Sequence, residues 1–235
     1  MASQLAFTMP TPKKRRQKPK AGWPRGKRRT TGRRNTPHTP RAHLTKHIPV
    51  HVTLRLDHHA TGNARRRDMY KAIRTATTRT KDCIRIIHLS IQRTHLHLIV
   101  EANDRDALSS GMQSFEISAA RRINRVCKRS GRVFTDRYNA EYLTTPTQTR
   151  NALSYVLNNW RKHGDDAISP TFRIDPYSSA ILFDGFADYA APPRATWAIP
   201  YEPLQIRPPE SWLLRVGWRR TGIISCHEIP GSHRA

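Results

Sequence analysis

The chain has 235 residues, enough for one well-formed core with extensions rather than several domains. It carries 42 Lys and Arg against 17 Asp and Glu, an imbalance whose field attracts a polyanion, nucleic acid above all. No run approaches the roughly 20 apolar residues of a membrane span, and no long helix with one apolar and one basic face stands out, so no membrane partner is expected.

Cys83, Cys127 and Cys226 form no C-x-x-C pair and cannot build a paired-cysteine zinc site. Such usage fits a reducing, cytoplasmic compartment. The start, Leu5 to Met9 before Pro10, lacks the order and length of a secretory signal.

Residues 1–47 contain no acid, while Lys13, Lys14, Arg15, Arg16 and ten further Lys and Arg collect among Pro, Gly and Thr. Such a segment cannot bury enough apolar area to offset its ordering entropy. It reads as a disordered basic arm that contacts phosphates, or else as a solubilising tail. From Val50, apolar residues alternate with His51, Thr53 and Arg55 in the period of a half-buried strand. Asp57 to Asn63 reads as a loop. A helix is expected over Arg65 to Lys81, on the stripe Met69, Ala72, Ile73, Ala76.

Cys83 to Gln92 and His95 to Ala102 are two strand-like runs separated by Arg93 and Thr94, hence a hairpin or a kinked ribbon. Asp104 opens a second helix whose stripe is Leu108, Met112, Phe115, Ala119, Ile123 and Val126, with Gly131 as its stop. A short strand falls within Val133 to Leu143. Thr145 followed by Pro146 starts a last helix, and Gly164 closes it. The fold class is therefore α+β: a ferredoxin-like split βαβ of four antiparallel strands backed by two helices, with one helix appended. Residues 48–168 form this domain. Beyond Ser169 a Pro-, Tyr- and Trp-rich stretch, 169–235, reads as an irregular extension. It has one short helix at Ser211 to Arg220, with Trp212, Leu213, Val216 and Trp218 on its apolar side.

His95 and His97 lie two apart on a strand, so both imidazoles leave the same face and can grip one metal ion. The pair alone is unspecific, since twelve histidines produce a chance H-x-H roughly 0.6 times in this length. On the last helix Leu153, Val156, Leu157 and Trp160 share one side, and Asn151, Tyr155, Asn158, Asn159 and Lys162 the other. Tyr155 among solvent-side amides, with Asn159 one turn later, sets a phenol beside an amide oxygen that can ligate a metal. The ordinary alternative is a tyrosine that caps the apolar stripe with its hydroxyl in water. Tyr138 is the second candidate nucleophile. His51 and the remaining histidines have no equally defined partner and read as surface or strand residues.

Three segments carry a resemblance: His95-Leu96-His97-Leu98-Ile99-Val100, Gly131 to Tyr138, and Tyr155-Val156-Leu157-Asn158-Asn159. Together they resemble the HUH endonucleases, in particular the single-tyrosine and REP-associated tyrosine transposases, over Ile48 to Gly164. The resemblance implies that His95, His97 and Asn159 hold Mg²⁺ or Mn²⁺ and that Tyr155 attacks single-stranded or hairpin DNA to leave a 5′-phosphotyrosine. It also implies a nucleoid-associated bacterial protein, monomeric or homodimeric. Lys162 is placed to assist the phenol, and Arg121, Arg122, Arg132 and Arg137 to contact the DNA backbone near the site. Two departures stand out: Arg93-Thr94 replaces the Pro-Asn pair of many relatives, and Trp160 replaces a proline after the amide.

A binding-only reading stays open, because the same four-stranded plan serves RNA-recognition and ribosome-associated proteins. Those sheets stack bases on aromatics, whereas the central strands here carry His, Ile and Leu. A relative that binds but has lost strand transfer is a further alternative.

Overall fold

The computed structural model describes residues 44–46, 48–57, 66–78, 84–168, 173–190 and 202–231. Lys13, Lys14, Arg15, Arg16 and most of the expected arm lie outside them, as does most of the loop after Asp57. Leu44, assigned to the arm by composition, is 1% exposed and belongs to the core, so the packed chain starts earlier than residue 48.

Four strands, β1 (Val50–Arg55), β2 (Ile84–Ile91), β3 (His95–Ala102) and β4 (Asn139–Tyr142), form one antiparallel sheet in the order β2-β3-β1-β4. This is the split βαβ arrangement, with β1 and β3 central. Alternation sorts the side chains. Val50, Val52, Leu54, Leu96, Leu98 and Val100 point to one face and are completely buried. His51, Thr53, Arg55, His95, His97, Ile99 and Glu101 take the other.

The first face is covered by α1 (Arg66–Thr77) and α2 (Arg105–Val126). Asp104 caps α2 by accepting from Ala107 N at 2.7 Å, and its stripe Leu108, Met112, Phe115, Ala119 and Ile123 is fully buried. Each of these side chains except that of Ala119 contributes about 1.5–3 kcal/mol on area arguments. The helix ends before the expected stop. Cys127 is its C-cap and Lys128 turns to φ 50°, so Gly131, at φ 97°, belongs to the following turn.

The second face carries α3 (Pro146–Lys162), begun by a reciprocal cap in which Gln148 N donates to Thr145 Oγ1 and Thr145 N to Gln148 Oε1. Gly164, at φ 70°, follows its C-cap, and α4 (Asp165–Ile168) adds one turn. A second core forms here. Ile87, Ile99, Leu153, Val156 and Leu157 meet Phe183, Phe186, Leu214, Trp218 and Ile224 of the C-terminal extension. Ile87 reaches this side because the register shifts between Ile86 and His88, setting two residues of β2 against one of β3. The extension also straps α1 and the edge strand β2. Tyr70 Oη donates to Glu202 O, Ile91 N to Tyr177 O and Arg207 N to Ile86 O, which occupies an otherwise open edge.

His88 sits inside this second core, with Nδ1 3.1 Å from Ser179 Oγ and its ring edge-on to Phe183. Ser179 Oγ already accepts from Leu89 N, which leaves its proton for Nδ1. Burial pushes the His88 pKa down to about 4. Below the usual histidine range the unfolded chain takes up a proton that the native state refuses. Stability is therefore lost as pH falls from about 6.5 to about 4, by up to about 3 kcal/mol. Denaturant titrations at both ends of that window are expected to show a smaller loss for His88→Gln than for wild type, and equal losses would contradict this origin.

Candidate active site

β3 and α3 bring the two halves of the expected site together. The His95 and His97 rings stack at 5.9 Å between centroids, and the Tyr155 ring meets His97 edge-on at 5.0 Å. Each imidazole has a threonine at Nδ1, with Thr53 Oγ1 3.3 Å from His97 and Thr94 Oγ1 2.8 Å from His95. When Nδ1–H donates to these hydroxyls, Nε2 keeps its lone pair.

Burial, with His51, His95, His163 and Lys162 nearby, pushes the His97 pKa down to about 3, so the ring is neutral near neutral pH. Burial raises that of the Tyr155 phenol. Lys162 Nζ sits 5.0 Å from the centre of the tyrosine ring, a cation–π contact.

Asn158 and Asn159 are not on a solvent side. Both are about 1% exposed or less, because the C-terminal extension lies over the flank of α3 that helical periodicity marks as polar. Asn158 Nδ2 donates to Ser225 O at 2.8 Å. Asn159 is different, since neither amide atom has a hydrogen-bond partner among the described residues. A buried amide without a partner is costly unless a ligand completes it.

His51, treated in sequence as an ordinary strand residue, joins the site. Its ring lies 5.6 Å from that of His97 and 5.7 Å from that of Tyr155. Its Nδ1 faces Glu141 Oε2 at 3.9 Å, an interaction that lowers the Glu141 pKa, while Nε2 is buried without a partner. The signal was present in the alternation of β1. Val50, Val52 and Leu54 claim the core face, so His51 must share a face with the two histidines of whichever strand lies alongside.

Other expected residues fall elsewhere. Arg121 and Arg122 are on α2, across the sheet, where they border a shallow groove with Ser114 and Ser118, and Arg122 Nη1 is spent on Ser118. They are not near Tyr155. Tyr138 is buried in the α1–α2 core, away from the histidines, which removes it as second nucleophile. Arg132 and Arg137 lie in the loop that runs beside the end of β1, where Thr135 N donates to Arg55 O and Arg55 is paired with His95. Asp188, Cys226 and His227, which nothing in the sequence groups together, bring three ligand atoms within 4.8 Å of one another. Both Asp188 oxygens already accept, from Ser225 Oγ and Cys226 N, so the carboxylate closes a turn there.

Residues 45–159 match the family model described as "Transposase IS200 like". That stretch, just under half of the chain, is similar to the IS200-like transposases. The matched stretch runs from the residues before β1 to Asn159 and contains all the residues of the histidine–tyrosine cluster. A solved structure, the REP-associated tyrosine transposase bound to a REP hairpin, is similar at 16% identity and a TM-score of 0.42, over 55% of this chain and 75% of that one. No curated protein matches. Among the described residues no helix is long and apolar enough to cross a membrane.

Proposed function

We propose that the chain is a single-stranded DNA endonuclease and strand transferase that forms a 5′-phosphotyrosine intermediate through Tyr155, on single-stranded or hairpin DNA. The observation that carries this reading is the edge-on approach of the Tyr155 ring to His97 at 5.0 Å, with His95 stacked beyond.

The donor set fits a divalent cation, for His97 is neutral and the Asn159 amide is buried without a protein partner. Mg²⁺ or Mn²⁺ held by His95, His97 and Asn159 would polarise the scissile phosphate. Tyr155 Oη attacks phosphorus, its proton departs, and the 3′-oxygen leaves as a hydroxyl after taking up a proton. The phosphodiester energy is kept in the tyrosyl ester, so the step reverses onto another 3′-end without a nucleotide cofactor. Lys162, held against the tyrosine ring, supplies positive charge where the phosphate must lie.

An RNA-recognition mode, the competing reading, needs a sheet face open to stacked bases. Here α1 and α2 cover one face, and α3 with the extension packs on the other.

The test uses labelled single-stranded and hairpin DNA with Mn²⁺ and looks for a covalent adduct in denaturing gels. An adduct that forms with metal and vanishes with chelator is expected. His97→Ala should lose it and weaken Mn²⁺ binding, read by spin resonance, by about tenfold or more. RNA binding with no cutting of DNA would overturn the reading.

A further inference from the structure

The short helix expected at Ser211 to Arg220 exists as α5 (Trp212–Arg215) followed by a 3-10 turn (Gly217–Thr221), but its faces are not those the sequence suggests. Leu214 and Trp218 are buried against α3 and Leu213 is buried as well, while Trp212 is 50%, Val216 53% and Ile223 60% exposed. The half-exposed indole of Trp212 contrasts with that of Trp218, which the adjoining core buries. The Trp212 ring lies against Gly217, where a Cβ would come within 2.6 Å of it, so the glycine lets the indole lie flat on the backbone.

Arg220 sits 5.4 Å from the centre of the Trp212 ring and Arg219 5.0 Å from that of Trp218. Arg215, Arg219 and Arg220 are exposed, and no ion pair engages them among the described residues. Residues 211–227 contain no acid. The flanking acids are committed elsewhere, Glu210 to Arg85 and Glu228 to Arg150.

We propose that residues 211–223 form a second contact surface for single-stranded nucleic acid, in which Trp212 stacks a base and Arg215, Arg219 and Arg220 hold the flanking phosphates. An aromatic platform among uncompensated arginines is the combination that grips a strand with little sequence preference. The same charges oppose a second copy of this chain, whose identical patch would repel. The surface rests on the reading that the chain handles DNA, but it does not involve the Tyr155 site. It would lengthen the footprint of the strand beyond the scissile phosphate.

Fluorescence anisotropy of the full chain with a labelled single-stranded oligonucleotide, over a range of salt, tests it. Trp212→Ala is expected to weaken binding about tenfold, and the loss should persist at high salt because stacking is not screened. Trp212→Phe, which keeps a ring, should bind within about twofold of wild type. The double variant Arg219→Ala, Arg220→Ala should reduce the slope of log affinity against log salt by about 1.4. With saturating DNA, Trp212→Ala should still form the covalent adduct. If Trp212→Ala and the double variant bind like a wild type that does form its adduct, the surface is idle and this inference fails alone. A wild type that neither binds nor reacts fails together with the proposed function. A wild-type dimer that Trp212→Ala converts to monomers assigns the patch to a second copy and overturns the inference.

Discussion

Replacing Tyr155 by Phe is expected to lower covalent adduct formation by at least about a thousandfold while leaving oligonucleotide affinity within about twofold. The substitution removes one oxygen and little else. The ring keeps its edge contacts with His97 and His51 and its place under Lys162, so the packing of α3 is preserved. Burial raises the phenol pKa, so at neutral pH the residue is a phenol, and an attack through it would require that proton to leave. The wild-type rate should accordingly rise with pH across the alkaline range, and the Phe variant should show no such rise. A denaturing gel of single-turnover reactions decides the matter. An adduct that persists in the Phe variant would end the assignment of Tyr155, and Tyr138 offers no refuge because it lies in the opposite core.

Periodicity carried the architecture because strand and helix faces are local properties. Val50, Val52 and Leu54, and the stripe from Leu108 to Ile123, are buried as their spacing predicts. The four-stranded plan follows from element order, and the sharing of one face by His95 and His97 from strand alternation. What spacing cannot show is which distant segment covers a given surface. Asn158 and Asn159 read as solvent-facing because nothing within α3 says that residues 223–228 lie over them. Trp212 and Val216 read as buried for the converse reason: the helix breaks after Arg215, and Leu214 and Trp218 take the contact with α3. Arg121 and Arg122 fall away from the site because periodicity shows which face of their helix is inner but not which side of the sheet the helix covers. His51 could have been found. Once β1 is central in the split βαβ plan, its alternation sets His51 on the histidine face.

The second large effect concerns that covering segment. Four successive turns of α3 are tied to it. Arg150 pairs with Glu228, Ser154 Oγ donates to Glu228 at 2.7 Å, Asn158 donates to Ser225 O, and Arg161 Nε donates to Cys226 O at 2.7 Å. Glu228 is the keystone, because its side chain is 11% exposed and that of Arg150 14%. Glu228→Ala would leave a guanidinium largely shielded from water without its counter-charge, and the expected loss is about 3 kcal/mol of unfolding free energy. Solvent reaching the pair trims this from the value for a fully buried one. Adding Arg150→Met to the alanine variant should recover most of the loss, because an apolar chain of similar length leaves no orphaned charge. Denaturant unfolding of the two variants checks the pair. Equal stabilities would mean that the ion pair contributes little and that Leu214, Trp218 and Ile224 hold α3 by apolar contact alone. The functional consequence follows from geometry. A helix fastened along its outer side to its own chain presents Tyr155 to its own His97, so a mixture of His97→Ala and Tyr155→Phe chains should yield no adduct. Loosening the clamp with Glu228→Ala should slow adduct formation in the otherwise intact chain.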